Sequence, residues 1–400
     1  MKRFVSVFLA VFLIALSACA EQADFDRDFL SHIRALNERE NYIVSPLSFR
    51  AALILAAEGA NGSTRTQLLE AMGFSSEEEM AQWYAAVRES VARFDGWVER
   101  QAELVAEEAQ YYSPGEAPEL PPHAYRVLNS VWSNADSLGD FLPDYARIVA
   151  ERYGAAAERV PADRITEAVN GWCSEATDGL IPKISEDLSE CAAALINAVY
   201  LKSSWADAFP EYRTAPEDFT DIDGNVARRD MMKIRERFRY YADGDTKLVS
   251  IPLNGGLTFI AVLGDDSDWL ADYGRAAYTD VDLWLPKLDT ESAFGKEALA
   301  AYLVERGAAD AFDANAADFS RMSDGRWYIG DILQKARIRT DEDGLEAAAV
   351  TMIVLAEGAA MEQEVEPKYV EFHADEPFRY YIVTTGTETP LVVFAGQEVR

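Results

Sequence analysis

Cysteine and histidine are nearly absent, with three of each in a chain of 400 residues. A metal centre built on thiolates and imidazoles therefore has little to draw on, and no CxxC pair occurs. Basic residues are also scarce: 37 Lys and Arg stand against 69 Asp and Glu, for a formal charge of −32. Phosphate backbones are bound by clustered cations, so nucleic acid is excluded as a partner. The densest basic stretch (Arg228, Arg229, Lys233, Arg235, Arg237) is interrupted by Asp230 and Glu236 and reads as a charged strand and turn face. Catalytic signatures are missing as well. HExxH, GxSxG, GxGxxG and a phosphate-binding loop do not occur, and Gly295-Lys296 lacks both the upstream glycine and the following Ser or Thr. His32, His123 and His373 lie far apart and read as structural. Asp221 and Asp223 lack the remaining calcium ligands and read as turn residues. Carboxylates are numerous enough to leave an acid–base pair open, but no spacing singles one out. No cofactor, no metal and no enzymatic activity are expected.

The N-terminus reads as a targeting segment. Lys2 and Arg3 precede Phe4 to Leu16, a run that is apolar apart from Ser6. It is too short to span a bilayer comfortably and ends in small residues, as a cleavable signal does. Leu16-Ser17-Ala18-Cys19 resembles the bacterial lipobox, in which the cysteine becomes the lipidated first residue. Residues 1–18 are therefore expected to be a lipoprotein-type signal peptide, with Cys19 the lipid anchor and residues 19–23 a tether. The plainer alternative is an ordinary signal that happens to contain a cysteine. Several acyl chains would anchor stably where one holds only marginally. Export and a membrane partner follow, in the periplasm or at the cell surface. Ala20, rather than an Asp acting as retention signal, favours an outer-membrane or surface site. Cys173 and Cys191 lack motif spacing and read as two separately buried thiols.

Along the chain, helices are expected at Phe25–Leu36, with Phe25, Phe29, Ile33 and Leu36 on one face, at Leu47–Ala57 and over 75–110. Ser63-Thr64-Arg65-Thr66-Gln67 suggests a capped helix start. Ile165, Val169, Trp172 and Ala176 share a helical face closed by Gly179. Ile43–Ser45 and Val127–Trp132 read as strands, and Ala192–Leu201 as a strand covered on both faces. Asp223-Gly224 and Asn254-Gly255 are hairpin turns, and Tyr380–Thr384 and Leu391–Ala395 are buried late strands. Ser113–Pro122 is a loop insertion. With no repeat and no dividing linker, residues 24–400 form one α+β domain, helices early and sheets late.

Several segments carry a family resemblance in order. They are Asn41-Tyr42-Ile43-Val44-Ser45-Pro46-Leu47-Ser48, Gly59-Ala60-Asn61-Gly62-Ser63-Thr64, and Asn197-Ala198-Val199-Tyr200-Leu201-Lys202-Ser203-Ser204-Trp205 with Phe209. Leu285-Pro286-Lys287, Ala317-Asp318-Phe319-Ser320, His373-Ala374-Asp375-Glu376-Pro377-Phe378 and Leu391-Val392-Val393-Phe394-Ala395-Gly396 continue the pattern. Between them, Asp341 to Thr351 resembles the family's hinge. From about Asp24 to its end the chain resembles the serpins. The resemblance implies three β-sheets surrounded by eight or nine helices, with an exposed C-terminal reactive loop at about 344–366. It also implies a monomeric suicide-substrate inhibitor of serine proteases. The protease acylates itself on the loop, which then enters the main sheet as a new strand; loop insertion in serpins is itself a standard example of strand addition and released strain.

The implied hinge residues are Glu342, Gly344, Leu345, Ala347, Ala348, Ala349 and Thr351. Alternation puts Leu345, Ala347, Ala349, Thr351, Ile353 and Leu355 on one uncharged row and leaves Glu346 on the solvent row. Gly344 is expected to permit the backbone reversal that starts insertion. Leu345 stands where the family usually has Thr or Ser, and its bulk is expected to slow the first step. Gln334 replaces a common histidine beneath the sheet and should retune its opening. Counting from the hinge by the family's usual length puts the reactive bond at Gly358–Ala359, while counting back from Pro377-Phe378 lands near Met361 to Gln363. The small residues around it suit an elastase-like or subtilisin-like protease. A competing reading keeps the fold but makes it a non-inhibitory binding or structural module.

Overall fold

The computed structural model describes residues 25–112, 119–346, 368–387 and 389–400. Within these, eight α-helices surround three sheets of nine, four and two strands. Helix α1 (residues 25–36) buries Phe25, Phe29 and Ile33 as its periodicity requires. Leu36, at the frayed end, is 55% exposed instead. Strand β1 (Tyr42–Val44) leads into α2 (Pro46–Gly59). Ser45 caps α2 by accepting the Ser48 N–H, and Pro46 occupies the first turn, where its missing donor costs nothing.

Helix α3 (Gly62–Ala71) starts earlier than the capping pattern suggests, with Asn61 at the cap. Tertiary contacts have claimed the expected capping side chains: Thr64 Oγ1 accepts the Asp318 N–H at 3.0 Å and Gln67 Oε1 that of Asp310 at 3.0 Å. Helix α4 (Glu77–Ala109) follows, capped by Ser76, and only its first half is buried.

Strands β2 (Ala124–Asn134), β3 (Ala156–Val160) and β4 (Ala193–Ser204) make most of the four-stranded sheet. Helix α5 (Pro143–Tyr153) precedes β3, and α6 (Ala162–Ala176) follows it. Left-handed Gly179 turns the chain away from α6, its N–H on Ser174 O at 2.7 Å. The nine-stranded sheet comprises β5 (Ala215–Thr220), β6 (Val226–Asp243), β7 (Thr246–Leu253), β8 (Leu257–Leu263), β9 (Ala277–Pro286), β13 (Val370–His373), β14 (Phe378–Thr384), β15 (Val392–Glu398) and β1. The small sheet pairs β10 (Asp289–Phe294) with β11 (Gln334–Arg339).

Helices α7 (Trp269–Arg275) and α8 (Lys296–Glu305) lie among the late strands, so the helices-first order holds only approximately. The turn reading of Asp221 holds: its Oδ1 accepts the N–H groups of Asp223 and Asn225, each at 2.8 Å. Four cations of the basic stretch on β6 meet carboxylates, Arg228 with Asp218, Arg229 with Glu398, Lys233 with Glu217 and Arg235 with Asp282. Among the described residues Cys173 and Cys191 are free thiols, but Cys191 is only half-buried.

One expectation fails where it matters most. Strand β4 was expected to be covered on both faces along its length, yet Ala193 to Asn197 are half-exposed and only Ala198 to Leu201 form a continuous buried run. Strands β4 and β11 also belong to separate sheets, joined by no ladder along Ala193–Lys202. A cleft lies between them.

Candidate functional site at the hinge of the main sheet

Beyond β11 the chain makes a tight reversal and returns as β12 (Gly344–Leu345), antiparallel to β4, with Gly344 opposite Ser204 and Leu345 opposite Ser203. A bridge between Thr340 and Leu345 closes the hairpin on the β11 side. Asp341 organises the turn. Its Oδ1 accepts the N–H groups of Asp343 (3.0 Å) and Gly344 (3.2 Å), and its own N–H donates to Gly344 O (3.0 Å). Trp205 Nε1 donates to Asp341 O at 2.8 Å, Trp205 N to Asp343 O at 2.9 Å and Phe209 N to Glu342 O at 2.8 Å. The turn is thus tied to the segment that follows β4.

Glu342 is buried beside Lys287, whose Nζ lies 2.7 Å away. Burial pushes its carboxyl up, but the Lys287 ammonium beside it outweighs this and holds it below the usual carboxylate range. Gly344 needs its missing side chain for a reason other than the one expected. A Cβ there would sit 2.3 Å from Ser203 O and 2.6 Å from Ser204 Cα, so glycine is required for close approach to β4. The left-handed residue is Glu346, at φ 49°. It is half-buried rather than solvated: burial pushes its carboxyl up, against the pull of Lys202 and Arg339, and its Oε2 has no hydrogen-bond partner.

Leu345 is 3% exposed and packs in the apolar core. The cleft continues from it between β4 and β11, lined by Val199, Leu201, Ala336, Ile338, Ile382 and Phe394. Gln334 lies deeper. Its Oε1 accepts the Ser45 N–H (3.0 Å) and its Nε2 donates to Ser45 O (2.8 Å), a two-point clamp on the β1–α2 junction. Across the cleft, Asn197 donates to Asn129 Oδ1 at 2.9 Å, while its own Oδ1 is buried without a partner. The glutamine therefore fastens β11 to the β1–α2 junction, while on the β4 side Asn197 O accepts from Ser48 Oγ of α2 at 3.5 Å.

Of the hinge set, the structure brings Glu342, Gly344 and Leu345 together. Ala347, Ala348, Ala349 and Thr351, the bond Gly358–Ala359 and Cys19 lie outside the described residues. Sequence reasoning named Asp341, Ser203 and Ser204 only within matching segments and Asn254 only as a turn residue, and gave none of them a role of its own in the site. Asp341 had a readable signal, an Asp three residues before a Gly. The others are visible only once β4 and the β7–β8 turn meet. His32 and His373 are placed structurally, on Ala298 O at 3.0 Å and stacked on Trp284 at 4.1 Å.

A model of the Serpin (serine protease inhibitor) family matches residues 20–399. A serpin-like protein of Thermococcus kodakarensis is 29% identical over 89% of this chain and 80% of its own length. Intracellular coagulation inhibitor 2 of Tachypleus tridentatus is 28% identical over 91% and 86%. The crystal structure of Serpin48 from the insect Tenebrio molitor superposes with a TM-score of 0.71 at 23% identity, covering 96% of this chain and 98% of that one. The fold, the hinge hairpin and these matches agree: the chain belongs to the serpin family.

Proposed function

We propose that this serpin is a suicide-substrate inhibitor of serine proteases, exported and held to a membrane through Cys19. The observation that carries the reading is the position of Gly344 and Leu345, which already form the first two residues of a strand between β4 and β11. Continuing that register sets Ala347 against Leu201 and Ile338, Ala349 against Val199 and Ala336, and Thr351 against Asn197 and Gln334. Ile353 and Leu355 then face Leu195 and Ala193, where β4 begins. Every one of these residues is uncharged, and the alanines are small enough to enter between two strands. In the inserted strand Thr351 would bring a hydroxyl to the unpartnered Asn197 Oδ1.

In the reaction, the protease serine oxygen attacks the carbonyl carbon of Gly358. The amide bond to Ala359 breaks, and the new amine leaves with a proton from the protease's general acid. Insertion then carries the acyl-enzyme away from the bond it cut. Leu345 to Gly358 spans roughly 46 Å as a strand, enough to cross a domain. Ala356-Glu357-Gly358-Ala359-Ala360 offers no Arg, Lys or large aromatic residue, which suits an elastase-like or subtilisin-like enzyme.

Incubation with an elastase-like protease should give a covalent complex that survives boiling in detergent, and a C-terminal fragment starting at Ala359. A start outside Gly358 to Met361, or trapping of trypsin alone, would overturn the assignment of the bond. Clean cleavage by every serine protease tried, without a complex, would leave the non-inhibitory reading standing.

The anchor has its own test. Cys19→Ala should move the protein from the membrane fraction to the soluble fraction with an unchanged unfolding transition. An unmodified Cys19 on the exported protein, seen by mass spectrometry, would remove this claim.

A further inference from the structure

We propose that His123 is a positioning residue for loop insertion: it pins the end of β4 on which the hinge strand docks, and its protonation releases that pin. The role of the pin in trapping rests on the inhibitory reading above; the pin itself rests on geometry. His123 stands immediately before β2, and its Nδ1 is 2.6 Å from Pro121 O. A carbonyl only accepts, so Nδ1 carries the hydrogen and Nε2 of the neutral ring is an acceptor. Nε2 lies 3.0 Å from Ser204 Oγ, whose hydroxyl donates to it. The same oxygen accepts from Asn254 Nδ2 at 2.8 Å.

Asn254 completes the fixture from the β7–β8 turn. Its N–H donates to Ser204 O at 3.0 Å, and its carbonyl accepts from Ser203 Oγ at 3.0 Å. Ser203 and Ser204 are the residues opposite Leu345 and Gly344. The approach of Gly344 to them leaves no room even for a methyl group, so a small shift of Ser204 alters the surface on which β12 docks. The Trp97 ring of α4 covers His123 edge-on at 4.9 Å and 72°.

Protonation reverses one bond of this set. With both ring nitrogens donating, Ser204 Oγ receives two donors and its own hydrogen loses its acceptor. The imidazolium would also be partly buried near Lys202, the charged group acting on it from β4; α4 and the β7–β8 turn present the neutral Trp97 and Asn254. Burial holds the imidazole below its ordinary value of 6.5; the Pro121 carbonyl pulls upward and Lys202 adds to the lowering. A folded-state pKa lowered in this way means the pin is intact above about pH 6.5 and is lost as pH falls through the depressed value.

The test compares the intact protein with His123→Gln and His123→Ala. Glutamine stays neutral and can still donate to Pro121 O and accept from Ser204; alanine does neither. Amide protection factors of a peptide covering residues 341–346 require no protease, and the stoichiometry of covalent trapping reports function. From about pH 8 to about pH 5, wild-type protection should fall on the order of tenfold and the stoichiometry should rise severalfold. His123→Gln should stay flat across the range. His123→Ala should show the low-pH behaviour throughout. Parallel pH profiles for wild type and His123→Gln, or a His123→Ala protein indistinguishable from wild type at about pH 8, would overturn the proposal. If protection follows the prediction and no protease is trapped, the inhibitory reading fails and the pin survives. If trapping occurs with no dependence on His123, the pin fails and the inhibitory reading survives.

Discussion

Leu345→Arg is expected to turn the protein from a trap into an ordinary substrate, with loop cleavage retained and the detergent-stable complex gone. Leu345 is the first side chain of the inner row, packed where Leu201, Ile338, Ile382 and Phe394 line the cleft. A guanidinium there would be buried among apolar side chains, at a cost of several kcal/mol unless it reaches the neighbouring Glu346 carboxylate. The arginine would keep β12 out of the sheet, and no later residue can enter before it. The bait residues around Gly358 are unchanged, so acylation proceeds, and deacylation then wins over a stalled insertion. A stoichiometry of inhibition equal to that of the wild type would mean that insertion uses another register.

Trp205→Ala is expected to lower folding stability by about 3–5 kcal/mol. The indole is 2% exposed and meets Phe209 and Phe259 edge-on at 5.6 and 5.7 Å. Its Nε1 also holds Asp341 O, the residue that shapes the hinge turn. Removing it opens a cavity beneath the reversal and frees one of the bonds that fix it, so the hinge loosens as the core weakens. Denaturant unfolding read from the midpoint at constant slope measures the change. A loss below about 1 kcal/mol would show that the turn stands without the tryptophan.

These two residues show what the chain discloses on reading and what it withholds. Local signals were plain. Phe25, Phe29 and Ile33 announce α1, Ser45-Pro46 announces the start of α2, and Asn254-Gly255 announces the β7–β8 turn. Each depends on neighbours within one or two turns of chain. The start of α3 was misplaced because Thr64 and Gln67 serve partners more than 240 residues away. Gly344 was identified as necessary for the wrong reason: its sequence neighbours suggest a reversal, whereas its spatial neighbours, Ser203 and Ser204, demand close approach. Strand β4 looked uniformly buried because an apolar run does not record which neighbours reach its Ala193–Asn197 end. The separation of β4 from β11 is a long-range pairing fact, which periodicity does not encode. His123 read as a structural histidine, and its contacts fit that; its consequence comes from where Ser204 sits.

Hydrogen exchange on intact and loop-cleaved protein, followed over Ala193–Leu201, tests the central claim most directly. In the intact chain this part of β4 pairs with β2 on one edge and has no strand partner among the described residues on the other. Cleavage followed by insertion supplies that partner, so the account predicts a large gain in protection there, matched along Gln334–Arg339. Exchange in the cleaved protein identical to that in the intact one would show that the loop is cut and left outside the sheet, and would contradict the account.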